Sequence, residues 1–191
     1  MAATVILLNG AGSVGKSSIS LALQDLLAEP WLHVALDSFL EMFPDRLYAD
    51  PDGFASRTEF DDGKPQIALE IGAAGRRLLR GMRLSVAALA GAGNDLIVDD
   101  VILDGGLSEY ETLLAEIRFL KVGVFAPLAV LEDREVRRGD RVLGLARWQF
   151  SRVHAGARYD LEIDSSLDNP LVCARRIADH FGLRLRSDRA D

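Results

Sequence analysis

Cysteine, histidine and aromatic residues are scarce in this chain of 191 residues, and each scarcity excludes something. The single cysteine, Cys173, rules out an internal disulfide and reads as a buried packing residue. His33, His154 and His180 are too scattered to suggest a metal site, and His154 reads as a packed or capping histidine. No apolar run approaches the roughly 20 residues that span a bilayer. The first residues also lack the basic stretch of a secretion signal, so a cytoplasmic protein without a membrane partner is expected. Basic charge is outnumbered, 22 Lys and Arg against 29 Asp and Glu, for a net charge of −7. A nucleic acid is therefore not expected as the main partner, and any basic site must be local. The chain holds no internal repeat, no low-complexity segment and no Asn-Lys-x-Asp string of the kind that reads guanine.

What is present begins at residue 5. Val5-Ile6-Leu7-Leu8 reads as a buried strand, Gly10-Ala11-Gly12-Ser13-Val14-Gly15-Lys16-Ser17 follows, and a helical pattern starts at Ser18. Strand, G-x-x-x-x-G-K-S and helix in that order form the context of a phosphate-binding loop. Glycines let successive N–H groups turn inward, and the helix start adds its positive dipole end. Gly10, Gly12, Ser13, Val14, Gly15, Lys16, Ser17 and Ser18 are the nucleotide-binding candidates. Lys16 is placed to reach the β- and γ-phosphates, and the Ser17 hydroxyl to ligate Mg²⁺. A glycine-rich turn of a dinucleotide fold has no use for Lys16 followed by Ser17.

Further strands are expected at 32–36, 96–98, 117–124 and 159–163, with helices at 17–28, 67–90, 107–115, 128–138, 145–154 and 170–181. That alternation predicts an α/β protein with a parallel sheet and helices on both faces. One domain over 1–182 is expected, with 183–191 as a frayed tail. Residues 44–66 break the pattern, being rich in Asp, Gly and Pro yet carrying Tyr48, Phe54 and Phe60. An insertion that long is a lid or binding loop, or else disordered, and a substrate-covering segment over 44–66 is expected. Following the second strand, it belongs at the carboxyl edge of the sheet, where ligands bind.

Three further groups carry candidate chemistry. Asp37 directly follows the second strand, where a carboxylate either accepts the proton of an attacking hydroxyl or merely favours the start of a helix that Ser38 and Glu41 would cap. Leu96-Ile97-Val98-Asp99-Asp100 is an apolar strand ending in carboxylates. Asp99 is the candidate for the Mg²⁺ shell, while Asp100, on the other face, contacts substrate or caps the next turn. Arg134, Arg137, Arg138 and Arg141 form like-charged i, i+4 pairs. They read either as a solvated face or as a lid over 134–144, hinged at Gly139 and Gly144 and closing on a triphosphate. The aromatic set Phe39, Phe43, Tyr48, Phe54 and Phe60 suggests an aromatic or amphipathic acceptor, with Phe39 a candidate substrate contact beside Asp37.

Taken together, these residues resemble the chloramphenicol phosphotransferases and their relatives among the P-loop kinases. The likeness runs through Leu7-Leu8-Asn9-Gly10, Gly15-Lys16-Ser17-Ser18, Glu29-Pro30-Trp31-Leu32, Leu36-Asp37-Ser38-Phe39, Ile97-Val98-Asp99-Asp100-Val101, Arg138-Gly139-Asp140-Arg141-Val142 and Tyr159-Asp160-Leu161-Glu162-Ile163-Asp164. The resemblance implies a three-layer P-loop kinase fold, with five parallel strands ordered 2-3-1-4-5 and an arginine-rich lid. It implies transfer of the γ-phosphoryl group of ATP, with Mg²⁺, to a hydroxyl of a small molecule such as chloramphenicol. Asp37 would be the base, Arg134 would stack on adenine, Arg138 and Arg141 would serve the phosphates, and 164–170 would border the adenine. The loop interior Ala11-Gly12-Ser13-Val14 departs from the family's Gly-Ser-Ser-Ala type, and residues 44–65 match it less well. A kinase of another natural-product, nucleoside or shikimate-like hydroxyl, and a partner-regulated NTPase switch, are the alternatives. A homo-oligomer remains open.

Overall fold

Every residue of β1 (Thr4–Asn9) is buried, and its side chains alternate between two cores. Ile6 and Leu8 join Ile19, Leu23, Leu131, Ala174 and Ile177 on one face. Val5 and Leu7 join Met82, Val86, Tyr110 and Leu114 on the other. A strand apolar on both faces must lie inside a sheet covered on both sides. The computed structural model, which describes residues 3–103, 105–139 and 142–187, has that arrangement. After β1 come α1 (Lys16–Leu26), β2 (Trp31–Ala35), α2 (Leu36–Glu41), β3 (Phe54–Asp61), β4 (Lys64–Ile71) and α3 (Ala73–Gly91). The chain continues through β5 (Asp95–Asp100), α4 (Gly106–Leu113), β6 (Arg118–Phe125), α5 (Leu128–Arg138), α6 (Leu145–Phe150), β7 (Leu161–Asp164) and α7 (Pro170–Phe181).

The main sheet runs β2-β5-β1-β6-β7, parallel throughout. Counted among those five strands alone, the order is 2-3-1-4-5. Helices α1, α5, α6 and α7 contribute to the first core, and α3 and α4 to the second. The β1–β5 register sets Leu8 opposite Asp99 and Asn9 opposite Asp100, so the phosphate loop and the two carboxylates leave the sheet at one edge.

The structure departs from the sequence reading in three places. The helix expected over 67–90 begins at Ala73, because residues 64–71 form β4. There Ile67, Leu69 and Ile71 alternate with Gln66, Ala68 and Glu70, a period of two that the longer apolar run into α3 masked. The segment 44–66 is accordingly neither a structureless loop nor disordered. It holds a 3-10 turn at 45–47 and, from Phe54, the antiparallel hairpin β3–β4. Residues 183–186, expected as part of a frayed tail, are instead tied to the body of the protein. Leu185 bridges to Leu27, Ala28 N–H donates to Arg184 O at 3.0 Å, and Arg186 N–H to Leu26 O at 2.9 Å.

Candidate active site

The phosphate loop takes its shape from its own residues. Gly15 adopts φ +100° at the mouth of α1, a left-handed value that costs an L side chain about 1–2 kcal/mol. Ser13 is also left-handed, at φ +62°. Lys16 is buried, and its ammonium donates to Gly10 O at 2.8 Å and Ala11 O at 3.2 Å. It also stands 3.7 Å from Asp99 Oδ1. Ser17 Oγ donates to Asp99 Oδ2 at 2.6 Å, which brings the two predicted metal residues together.

Asp99 lies 6% exposed at the end of β5. Burial pushes its carboxyl upward, but the opposing pulls of Lys16, His33 and Ser17 together win and hold it below the usual carboxylate range. His33 Nε2 stands 3.8 Å from Asp99 Oδ2, too far for a hydrogen bond, so the imidazole acts as an electrostatic neighbour. Two hard oxygens, one ionised, suit Mg²⁺ held partly through water and phosphate. Among the described residues no group of three or more His, Cys, Asp or Glu is placed to hold a metal ion.

Two cavities of about 460 Å³ each open on this loop, and Ser13, Gly15, Ser18 and Arg138 line both. The first lies between Lys16, Ser17 and Asp99 on one side and the hairpin on the other, where Phe54, Ser56, Ile67, Leu69 and Ile71 form a wall. Leu36, Leu40, Leu79, Val101, Leu103, Val142 and Leu145 make most of the remainder apolar. Asp37, exposed in the first turn of α2, reaches the edge of this cavity. Tyr48 lines it too, its hydroxyl donating to Leu40 O at 2.6 Å. The second cavity is bordered by Arg134 and by Ser165, Asp168, Asn169 and Pro170. Arg134 donates to Val14 O at 3.2 Å and Ser165 O at 2.8 Å, which ties the loop to the strand exit of β7.

Several expectations are corrected. Ser38 is an interior residue of α2, whose N-cap is Ala35 with no side-chain hydrogen bond, so the capping box is absent. Asp100 does not face the cavity. It is 3% exposed, accepts from Tyr110 Oη at 3.0 Å and from Val101 N–H at 2.7 Å, and is pushed upward by burial. Successive strand residues point to opposite faces, so Asp99 and Asp100 cannot share a site. Phe39 packs on the second core beside Leu36 rather than lining the cavity. Arg134 to Arg138 belong to a regular helix, with left-handed turns at Gly139 and Gly144 after it. Arg141 lies outside the described residues.

Sequence reasoning missed two residues. Glu135 is 4% exposed and accepts from Gly144 N–H at 2.7 Å and Ala146 N–H at 2.9 Å, anchoring the start of α6. Gln149 accepts from Gly12 N–H at 2.7 Å. Neither contact has a local signal, since the loop partner of Gln149 lies 137 residues away.

A family model described as chloramphenicol phosphotransferase-like protein matches residues 3–182. This chain belongs to that family. It is a P-loop kinase, an O-phosphotransferase acting on small molecules. It is 30% identical over 183 residues to a provisionally named O-phosphotransferase of Mycobacterium tuberculosis H37Rv, covering 93% of this chain and 81% of the relative. Solved structures share its fold. A sugar kinase from Janibacter sp. HTCC2649 matches with TM-score 0.64 and 16% identity, over 95% of both chains. The tunicamycin resistance protein of Deinococcus radiodurans matches with TM-score 0.62 and 17% identity, over 97% of this chain and 99% of its own. The M. tuberculosis APS kinase, solved with AMPPNP and APS, matches with TM-score 0.63 and 18% identity, over 94% and 98%. No helix among the described residues is long and apolar enough to cross a membrane.

Proposed function

We propose that this kinase transfers the γ-phosphoryl group of ATP to a hydroxyl of an amphipathic small molecule, chloramphenicol or a similar antibiotic. One observation carries the reading: a single cavity has Lys16, Ser17 and Asp99 on one wall, Asp37 at its edge and an apolar hairpin opposite. Asp37 accepts the acceptor's proton as its oxygen bonds to phosphorus and the bridging P–O bond to ADP breaks. Lys16 and Arg138, with Arg141, stabilise the charge on the phosphoryl oxygens. Arg134 stacks on the adenine, which occupies the second cavity. Ser17 and Asp99 would hold Mg²⁺, which when bound offsets phosphate charge.

The chemistry of the apolar wall separates acceptor classes. Among the described lining residues the only cations are Lys16 and Arg138, both assigned to phosphates, so no further cation is present to pair with an anionic acceptor. Few polar side chains line the wall for a polyhydroxylated one. An apolar molecule presenting one hydroxyl to Asp37 fits both facts. Such an enzyme works where ATP is abundant, in the cytoplasm.

The test is to incubate the protein with ATP, Mg²⁺ and chloramphenicol and read the product by mass spectrometry. A singly phosphorylated drug is expected. Unmodified drug with ATP still bound would move the acceptor to another hydroxylated natural product. Failure to bind ATP would overturn the whole reading.

A further inference from the structure

Gln149 closes the cavity beside the phosphate loop, and its chemistry is settled by its one hydrogen bond. A backbone N–H can only donate, so the Gln149 atom 2.7 Å from Gly12 N is its oxygen. The amide's NH₂ therefore lies on the opposite branch. Those two donors have no partner among the described residues, although Gln149 is only 5% exposed and lines the first cavity. The amide nitrogen is not closed off from solvent, so a ligand in the cavity can take its hydrogens.

The side chain is held firmly in place. The Glu135 carboxylate takes the Gly144 and Ala146 N–H groups at the start of α6, and Arg147 of the same helix pairs with Glu132. Gly12 contributes by having no Cβ, which would stand 3.2 Å from Gln149 Oε1. One residue earlier in the loop, the Lys16 ammonium rests on Ala11 O at 3.2 Å. The Gln149 amide, through its oxygen, and the Lys16 ammonium thus meet the same turn of the loop, within the cavity Arg138 also lines.

We propose that Gln149 donates its NH₂ hydrogens to the terminal phosphoryl group of the bound nucleotide, as a neutral donor beside Lys16 and Arg138. The inference rests on the nucleotide reading above. Its role on the Gly12 side is separable, because a glutamate at the same position would still accept the Gly12 N–H but would turn an anionic oxygen, not a donor, toward the phosphoryl group.

The experiment compares binding of Mg·AMPPNP and Mg·ADP by calorimetry for the wild type, Gln149→Glu and a neutral variant, Gln149→Met or, should that side chain crowd the loop, Gln149→Ala. A hydrogen bond to a charged group is commonly worth tenfold or more in affinity. Gln149→Glu is expected to weaken AMPPNP at least tenfold and the neutral variant about threefold or more, with ADP affinity within about twofold of wild type in each. Parallel weakening of AMPPNP and ADP would reduce Gln149 to a prop for the loop and overturn the proposal. So would an unchanged AMPPNP-to-ADP ratio in the neutral variant, since the glutamate effect would then be repulsion alone. A wild-type protein that binds neither nucleotide would remove the parent reading and this inference with it.

Discussion

The two walls of the first cavity are built on opposite principles. The phosphate wall is part of the parallel sheet's edge, and its working groups are bonded to one another: Lys16 to Gly10 and Ala11, Ser17 to Asp99, Gly12 to Gln149. The hairpin wall lies outside that sheet and offers Ile67, Leu69 and Ile71 with scarcely a polar group. An isolated two-stranded hairpin is marginal in water. This one is held by Ile67 N–H donating to Gly144 O at 3.1 Å, and by Arg147, which pairs with Glu132 and stands 3.8 Å from Asp61. A transferred phosphoryl group demands fixed donors, whereas an apolar acceptor demands only shape. One wall is therefore pinned by directional bonds, and the other can change its side chains without disturbing the chemistry.

That contrast can be broken at either wall. The largest effect belongs to Asp37→Ala, which should cut transfer by about 10²–10⁴. Its AMPPNP affinity and melting temperature should stay near wild type, since Asp37 is exposed; a variant with full turnover would remove Asp37 from the mechanism. Next, Asp99→Asn should raise the Mg²⁺ concentration needed for half-maximal rate by about 10–100-fold. An unchanged Mg²⁺ titration would detach Asp99 from the metal.

On the hairpin side, Leu69→Glu should raise the acceptor KM about tenfold or more by setting a carboxylate in the apolar wall, while leaving ATP binding alone. Equal losses for both substrates would mean that the walls are not separable. Gly144→Ala is a smaller perturbation aimed at the joint between them. Its φ of +90° and a Cβ only 3.0 Å from Pro65 O should cost about 1–3 kcal/mol in denaturant unfolding. Stability equal to wild type would show that the turn relaxes freely.

The smallest effect lies behind the phosphate loop. Asn9 Nδ2 donates to Tyr159 Oη at 2.7 Å, leaving the phenol hydrogen for His154 Nδ1 at 2.8 Å. Burial, and then the charge of Lys16, lower His154 from 6.5 to about 4. The unfolded chain therefore takes up this proton before the native one, so the His154 contribution to stability declines as pH falls from about 6.5 to about 4 and is complete above 6.5. Urea midpoints for wild type and His154→Phe should diverge in slope across that window. Parallel slopes would mean the imidazole is not buried as a neutral group.

Legibility followed the range of the interactions. The meeting of Lys16, Ser17 and Asp99 was foreseeable because a loop's backbone geometry is set by neighbouring glycines, and because a strand ending in a carboxylate beside such a loop delivers that group to its edge. Asp100 was correctly read as lying on the other face from Asp99, but its buried partner Tyr110, ten residues on, carries no local signal, so a substrate contact was left open. The hairpin was hidden because β4 runs into α3 with only Gly72 between them, so one apolar stretch carried two periodicities.

The sequence alone determined the succession of the five sheet strands, the phosphate loop, the burial of β1 and the acidic character of the chain, since each depends on residues adjacent in the chain or repeating at a fixed period. Tertiary structure decided which residues meet across it. Gln149 reaches Gly12, Glu135 holds the start of α6, and the hairpin becomes the wall of a cavity. Those contacts depend on where helices and strands come to rest once two cores are packed, and no local pattern in the chain records them.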